Sequence, residues 1–270
     1  MEPHFYAHSE NKAEKWHLLR DHLQGVGNLA RHFAEKSCSA LSDAAYWAGL
    51  LHDLGKYRDE FQAYLRNERE GSVDTHHAVY GAALAFHRGW CGPAFAVAGH
   101  HAGLHDFDQL EALVEDKKYQ AAERLPMIVG RFEKEISAIV EQISEPEFAI
   151  NNPHGAEFYI RLLFSVLVDA DFLDTEAHYN GAPRKSVGLA PSELLQRLVA
   201  EKESKSQTGE LNAIRNRIFQ QCLDKATEPL RFFSLTVPTG GGKTLSGMAF
   251  ALAHAAQHKL RRVIVVIPYL

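Results

Sequence analysis

Apolar residues recur at alternating spacings of three and four along much of this chain, and that spacing places them on one face of an α-helix. The first such stripe consists of Trp16, Leu19, Leu23, Val26, Ala30 and Phe33. The same spacing predicts further helices over residues 77–88, 93–102 and 119–143 and, most clearly, over 156–173. No stretch before residue 230 shows the period of a strand. We therefore predict a mainly α protein that begins with an all-α helical bundle over residues 1–180.

The composition is that of a folded globular protein. Apolar residues make up 46% and charged residues 23% of the 270 positions, which excludes a disordered or fibrous chain. The first ten residues lack the basic start and apolar segment of a secretory signal, and no apolar run approaches the roughly 18–20 residues that span a bilayer. The three cysteines form no CxxC pair, so neither a disulfide framework nor a thiolate metal site is indicated. We expect a cytoplasmic protein without a membrane partner.

Charge divides the chain into two parts. Residues 1–180 carry 16 Lys and Arg against 28 Asp and Glu, a net charge of −12, whereas residues 181–270 carry 13 against 6, a net charge of +7. Residues 180–193 are rich in Gly, Pro and Ser, the composition of a connection between elements. We predict a linker with a connecting helix over residues 181–208 and a second domain over residues 209–270.

The period of the apolar residues changes in that second domain. RFFSLTV is typical of a buried strand, PTGGGKT of a loop, LSGMAFALAHAAQH of a helix and RRVIVVIP of a second strand. This order predicts the beginning of an α/β P-loop domain with a RecA-like sheet. A glycine-rich loop at the start of a helix binds phosphate through its backbone N–H groups. The nucleotide-binding residues predicted here are Thr239, Gly240, Gly241, Gly242, Lys243 and Thr244.

Histidine is concentrated near the N-terminus, where 12 of the 16 histidines lie within the first 105 residues. Imidazole is a common ligand of transition metals. His52 and Asp53 form an adjacent pair near the end of the apolar segment LSDAAYWAGLLHDLGK. Adjacent helical residues point about 100° apart, so other elements must supply the remaining ligands. The candidates are His22, His76, His77, His100, His101 and Asp171.

This mixture of ligands indicates the class of metal. Imidazole and carboxylate groups suit Mn, Fe, Co, Ni or Zn better than an all-oxygen Mg site. A carboxylate such as Asp171 on a strongly apolar helix needs a compensating cation, since burying an unpaired charge is costly. Isolated helical histidines are more often structural, and we assign that role to His17, His32, His87, His154 and His178.

The motifs H(22), HDLGK(52–56), HAVYGA(77–82), GHH(99–101) and AD(170–171), taken in this order, resemble the HD nuclease domain of the CRISPR-associated helicase-nucleases of type I systems. The resemblance implies an all-helical domain that holds one or two divalent ions of Mn, Co, Ni or Fe and cuts single-stranded DNA. It further implies recruitment by an RNA-guided CRISPR surveillance complex. One ion would be held by His22, His52, Asp53 and Asp171, and the other by Asp53, His77, His100 and His101.

Asp53 and Lys56 are the predicted catalytic residues. Asp53 would bridge the two ions. Lys56 lies three residues further along, about one helical turn, where its ammonium would bind either Asp53 or the phosphoryl oxygens of a substrate. Of these two roles, the charge partner of Asp53 is the safer assignment.

The loop PTGGGKT resembles the phosphate loop of superfamily 2 helicases, which implies Mg-ATP as a ligand of the full-length protein. Val237 stands where the general P-loop pattern has its first glycine. Neither an acidic strand-end motif nor the arginines of a second lobe follow the loop, and ATP hydrolysis in these motors needs both. We expect an N-terminal fragment that keeps its nuclease and does not hydrolyse ATP.

Two other functions fit the same histidines. An HD phosphohydrolase acting on nucleotides or cyclic dinucleotides would share the metal ligands, although it gives no reason for the loop at residues 239–244. A non-catalytic docking domain stabilised by metal would also retain them. Metal content and cleavage of circular single-stranded DNA separate the three hypotheses.

Overall fold

The computed structural model describes residues 4–137, 152–184, 188–205 and 208–266, which fall into two compact units, Met1–Arg184 and Lys185–Leu270. Eleven α-helices and one two-stranded antiparallel hairpin lie within these ranges. In chain order they are β1 (Tyr6–His8), β2 (His17–Leu18), α1 (Leu19–Ser37), α2 (Ser42–Leu51), α3 (Asp59–Leu65), α4 (Ala78–His87), α5 (Cys91–Gly99), α6 (Phe107–Val114), α7 (Ala121–Glu135), α8 (Pro153–Asn180), α9 (Pro191–Glu203), α10 (Glu210–Lys225) and α11 (Lys243–Gln257).

Helix α2 lies at the centre of the first unit. It packs against α1, α5 and α8, while α4 packs along α5. Its inward residues are small, and Ala44, Ala45 and Ala48 are fully buried. The apolar stripe of α1 faces this core, with Leu23 and Val26 excluded from solvent. The five helices thereby bring the histidine-bearing segments together.

Local signals explain where the long helix α8 begins and ends. Asn152 caps its start by accepting a hydrogen bond from the backbone N–H of Gly155 at 2.8 Å, and Pro153 follows at a position that needs no N–H donor. The helix ends at Gly181, whose φ of 73° is left-handed and suits glycine.

The prediction of an all-α first domain is confirmed, with the helices near the predicted positions. The prediction that residues 1–230 contain no strand is wrong, because β1 and β2 pair as a hairpin. Strands of three and two residues are too short to display a period. Helix α7 ends at Glu135, and residues 138–143 of the helix predicted there lie outside the described residues.

The second unit corrects the α/β prediction. Helices α9 and α10 both pack against α11, and α11 follows the glycine-rich loop as expected. The predicted strands do not form in the described residues: 231–237 and 261–266 have no strand pairing, and the end of the second strand lies outside the described chain. Phe232 is fully exposed and Val266 largely so. An apolar run forms a buried parallel strand only where it pairs with other strands and helices cover the sheet. Within the described residues Phe233 packs on Phe250 of α11, but no strand pairs with the segment.

Within the described residues, no helix combines the length with the apolar content that crossing a membrane requires.

A glycine at a helix contact provides a test of this packing. A Cβ at Gly81 in α4 would lie 1.9 Å from the carbonyl oxygen of Leu51, the last residue of α2, whereas a Cβ at Gly130 in α7 would meet nothing within 4 Å. We expect Gly81→Ala to lower the free energy of unfolding by about 1–3 kcal/mol through overpacking. Gly130→Ala should raise it by about 0.5–1 kcal/mol, because alanine loses less backbone entropy.

Urea unfolding followed by tryptophan fluorescence measures both variants. The three tryptophans, Trp16, Trp47 and Trp90, all belong to the first unit, so the signal reports that unit. Equal midpoints for the two variants would contradict the close approach of α4 to α2.

Candidate metal centre

Five segments of the first unit converge on Asp53. His22 comes from the first turn of α1, and the His52–Asp53 pair follows the last residue of α2. Asp53 has φ −109° and ψ 17°, outside the helical range. This turn directs both side chains of the pair inward, although adjacent helical residues would diverge.

The first ligand set lies around Oδ2 of Asp53. It adds two imidazole nitrogens and one carboxylate oxygen from other residues. His22 Nε2 lies 3.2 Å and His52 Nε2 lies 3.3 Å from Asp53 Oδ2, and the two nitrogens are 3.2 Å apart. Asp171 Oδ1, from α8, lies 3.5 Å from His22 Nε2 and 3.6 Å from His52 Nε2. His22, His52 and Asp53 are buried, while Asp171 is partly exposed. The predicted ligands of one ion are therefore together.

The second ligand set uses the other oxygen of Asp53. His77 Nε2 lies 3.0 Å and His100 Nε2 lies 3.7 Å from Asp53 Oδ1. His101 Nε2 is 2.8 Å from His77 Nε2. Donor atoms of these four residues all lie within 4.8 Å of one another. Asp53 thus presents one carboxylate oxygen to each set.

The hydrogen bonds behind the rings decide which nitrogen faces the centre. His52 Nδ1 donates to the carbonyl oxygen of Gly49, and His100 Nδ1 donates to that of Val97, each at 2.7 Å. His22 Nδ1 donates to the carboxylate of Asp174, also at 2.7 Å. A carbonyl or carboxylate only accepts, so each Nδ1 carries a proton and each Nε2 is the nitrogen that faces the centre and can bind a metal ion. Such partners orient the histidines of metal sites.

This arrangement directs acceptor atoms toward acceptor atoms, and a cation is the group that satisfies them. Asp53 Oδ1 and His100 Nε2 are buried and make no hydrogen bond within the described chain. Buried polar atoms without partners are costly, and converging lone pairs repel unless a proton or a metal ion lies between them. Two imidazole sets that share a carboxylate fit divalent Mn, Fe, Co, Ni or Zn. The predicted ligands therefore suit the predicted ions.

Lys56 fixes the shared carboxylate. Its Nζ lies 2.6 Å from Asp53 Oδ2 and donates to the carbonyl oxygen of Ala7, 3.1 Å away in β1. Burial raises the pKa of Asp53, but the positive charges of Lys56, His52 and His77 outweigh it and hold that pKa well below its usual range. Asp53 is therefore ionised and oriented, and the geometry places Lys56 as its charge partner.

The turn after the HD pair is fastened to the segment that carries His77. A Cβ at Gly55 would lie 2.3 Å from the carbonyl oxygen of His77, so only glycine permits this approach. The buried Arg58 donates from Nε to the carbonyl of Gly55 at 3.2 Å and from Nη2 to that of His76 at 2.9 Å. These contacts set His77 against Asp53.

The pKa values of the histidines differ between the two ligand sets. Burial lowers the pKa of His52, but the carboxylates of Asp53 and Asp171 outweigh it and raise that pKa from 6.5 to about 10. In the second set, burial together with His100 and His77 lowers the pKa of His101 to about 4. A metal at the first set must displace a proton near neutral pH, whereas His101 is already neutral.

Some neighbours of the centre were missed in the sequence. Asp174 lies one turn beyond Asp171 on α8, and this spacing of three was a usable signal. His8 and His17 come from the hairpin, and a nitrogen of each lies within 4.8 Å of one another and of a nitrogen of His22. The sequence alone assigns His17 a purely structural role. His76, a candidate ligand, lies with its Nδ1 3.2 Å from the hydroxyl of Tyr119 instead.

The predicted phosphate loop lies in the second unit. Gly240 and Gly242 both have φ of 84°, and Lys243 is the first residue of α11. Arg215 Nε donates to the carbonyl oxygen of Gly240 at 2.8 Å. The loop and its helix are thus formed, and nucleotide binding by residues 239–244 stays a prediction.

Comparison with known families finds one similarity, and it covers most of the residues around the metal centre. Residues 19–144 match the family model described as HD domain. No curated protein matches the chain. The matched range contains His22, His52, Asp53, His77, His100 and His101. Residues 19–144 are therefore similar to an HD domain, the domain of metal-dependent phosphohydrolases, and the buried His and Asp residues are its candidate metal ligands.

The shared carboxylate gives the first test of the centre. Asp53→Ala removes an oxygen from both ligand sets, so we expect a larger loss of Mn²⁺ affinity at each than the roughly 10–100-fold that follows loss of an outer hydrogen-bond partner. His87→Ala is the control, because His87 is exposed on α4. Free Mn²⁺ is measured by electron paramagnetic resonance during titration. If the two variants bound Mn²⁺ alike, Asp53 would not be a ligand.

The proton on His52 gives a second test. The pKa of His52, about 10, lies well above the usual 6.5 of an imidazole, so its proton is bound at pH 7.5 and a ligating cation must displace it. We expect about one proton to be released per chain, and metal affinity to fall as the pH falls. Calorimetric titration of chelator-treated protein with Mn²⁺ in two buffers of different ionisation enthalpy counts the proton. Heats that do not depend on the buffer would refute the raised pKa.

Proposed function

We propose that this HD domain hydrolyses phosphodiester bonds of single-stranded DNA with divalent ions at both ligand sets. The observation that carries the proposal is the division of Asp53 between the sets: Oδ1 faces His77 and His100, and Oδ2 faces His22 and His52. A carboxylate shared in this way supports two ions close together, the arrangement used for in-line displacement at phosphorus.

A bound divalent ion lowers the pKa of its water toward neutrality and stabilises charge on the phosphoryl oxygens. The protein's own residues prepare the place where this happens. Lys56 holds Asp53 ionised and directed inward, and the carbonyl oxygens behind His52 and His100 orient the two rings so that their Nε2 atoms face the inner side. Because these groups are fixed before substrate arrives, little reorganisation remains for the reaction.

Exposure indicates the side from which a substrate reaches the centre. His22 and His52 are fully buried and form its floor. The side chain of Asp171 is 21% exposed, that of His77 is 15% exposed, and His101 is exposed. A phosphodiester at this rim would lie beside the more exposed ligands of each ion, Asp171 in the first set and His77 and His101 in the second. An open rim suits a polymer strand that extends beyond the centre.

The negative charge of the first domain favours a DNA substrate that is brought to it by a partner over one that it binds unaided. Residues 1–180 have a net charge of −12, and DNA affinity comes mainly from Lys and Arg that neutralise phosphates. The bound ions and a basic partner must supply that attraction. The order of the ligand motifs resembles the CRISPR helicase-nucleases, and on that ground we propose recruitment by an RNA-guided surveillance complex. Mg-ATP at residues 239–244 belongs to the same proposal.

Cleavage of circular single-stranded DNA tests the function. With Mn²⁺, Co²⁺ or Ni²⁺ we expect nicking that chelator abolishes, and we expect Asp53→Ala to reduce the rate by at least about 10³-fold, as loss of a stabilising group in a catalytic centre commonly does. His32→Ala, which alters an exposed histidine of α1, should cleave like the unaltered chain.

The same preparation is assayed with nucleotides and cyclic dinucleotides. Metal-dependent hydrolysis of these molecules, with intact circular DNA, would replace the DNase proposal by the small-substrate phosphohydrolase. Binding of metal without hydrolysis of either substrate class would identify a docking domain.

A further inference from the structure

The hairpin places two histidines beside the metal centre, on the side of His22. In the pairing of β1 with β2, His8 lies opposite His17. Directly opposite residues of an antiparallel pair point to the same face, with Cβ atoms about 4.5–5.5 Å apart. Both rings approach the ring of His22, with centroid distances of 4.8 Å for His8 and 5.1 Å for His17.

The C-terminal part of α8 holds these rings in place. His178 stacks on His17 with centroids 4.5 Å apart and planes inclined by 11°, and its Nε2 donates to the carbonyl oxygen of Ser9. The amide of Asn11 donates to the carbonyl oxygen of His178 at 2.9 Å. Thr175 Oγ1 lies 3.1 Å from His8 Nε2. The hairpin is thus fastened to α8 on both sides of the histidine pair.

Several pairs of ligand atoms in this cluster have the spacing of ligands that share one metal ion. A nitrogen of His8 lies within 4.8 Å of nitrogens of His17 and His22. Asp174 Oδ2 lies 3.6 Å from His17 Nε2, close to the separation of about 3.4 Å between two ligands that bind one tetrahedral ion at about 2.1 Å. His17 Nδ1 is buried and makes no hydrogen bond within the described residues.

We propose that His8, His17 and Asp174 form a third divalent cation site, separate from the two sets that share Asp53. Two imidazoles and one carboxylate favour Zn, Co or Ni over Mg or Ca. The site would communicate with the first ligand set, because Asp174 Oδ2 also accepts the hydrogen bond from His22 Nδ1 at 2.7 Å. All three ligands lie outside residues 19–144, the range that matches the HD family model.

Counting bound Zn²⁺ tests the third site without any activity assay. The full chain, first treated with chelator, is dialysed to equilibrium against Zn²⁺, and the bound metal is measured by mass spectrometry. We expect the double variant His8→Gln/His17→Gln to bind one ion fewer per chain than the unaltered protein. The matched control is His32→Gln/His87→Gln, which changes two exposed histidines and should leave the count unchanged. Asp53→Ala should retain the ion of the third site after the ions of the two sets that share Asp53 are lost.

Asp174→Asn provides a second variant in case the double change unfolds the hairpin, which far-UV circular dichroism would show. Asparagine keeps the size of Asp174 and can still accept from His22 Nδ1, while it removes the anionic ligand. We expect the same loss of one ion. A Zn²⁺ count equal to that of the unaltered chain in a folded hairpin variant, or no bound Zn²⁺ in folded Asp53→Ala, would overturn the third site. Both results are independent of whether the chain cleaves DNA.

Discussion

The ion pair between Asp53 and Lys56 is the interaction on which the rest of the centre depends. An ionised carboxylate that is fully removed from water is costly unless it is paired and hydrogen-bonded. Lys56 supplies the pairing charge at 2.6 Å and is itself bound to the carbonyl oxygen of Ala7 in the N-terminal strand. The pair leaves Asp53 Oδ1 without a hydrogen bond within the described chain. The fold therefore holds a buried negative charge in an orientation that a cation can use.

The helical packing follows from the need to bring distant ligands to that carboxylate. Small residues on α2 allow α1 and α8 to approach closely, so that His22 and Asp171 join His52 in the first ligand set. The glycines at positions 55 and 81 let the His77 segment and α4 approach the end of α2. Backbone carbonyls at helix ends then fix the imidazole tautomers. The same contacts thus stabilise the core and orient the ligands.

Much of this centre could be predicted from the sequence, because the ligands occur in short motifs at helix ends. His22, HDLGK, the His77 segment, GHH and Asp171 are brought together as the motifs indicate. The hairpin could not be predicted, since strands of three and two residues carry no period. The strands expected after residue 230 were wrong for a different reason: an apolar run specifies burial, whereas pairing depends on neighbours that the described second unit does not provide.

His17 shows the limit of judging histidines one at a time. It precedes α1 and shares no helix face with His8, so its spacing in the sequence gave no sign of a role. The antiparallel register of the hairpin sets it opposite His8, and α8 adds Asp174 from a position more than 150 residues away. Ligand sets built across a β-pairing therefore escape an analysis based on helical period. Because Asp174 also binds His22, any ion held by the hairpin would act on the buried centre through a single carboxylate.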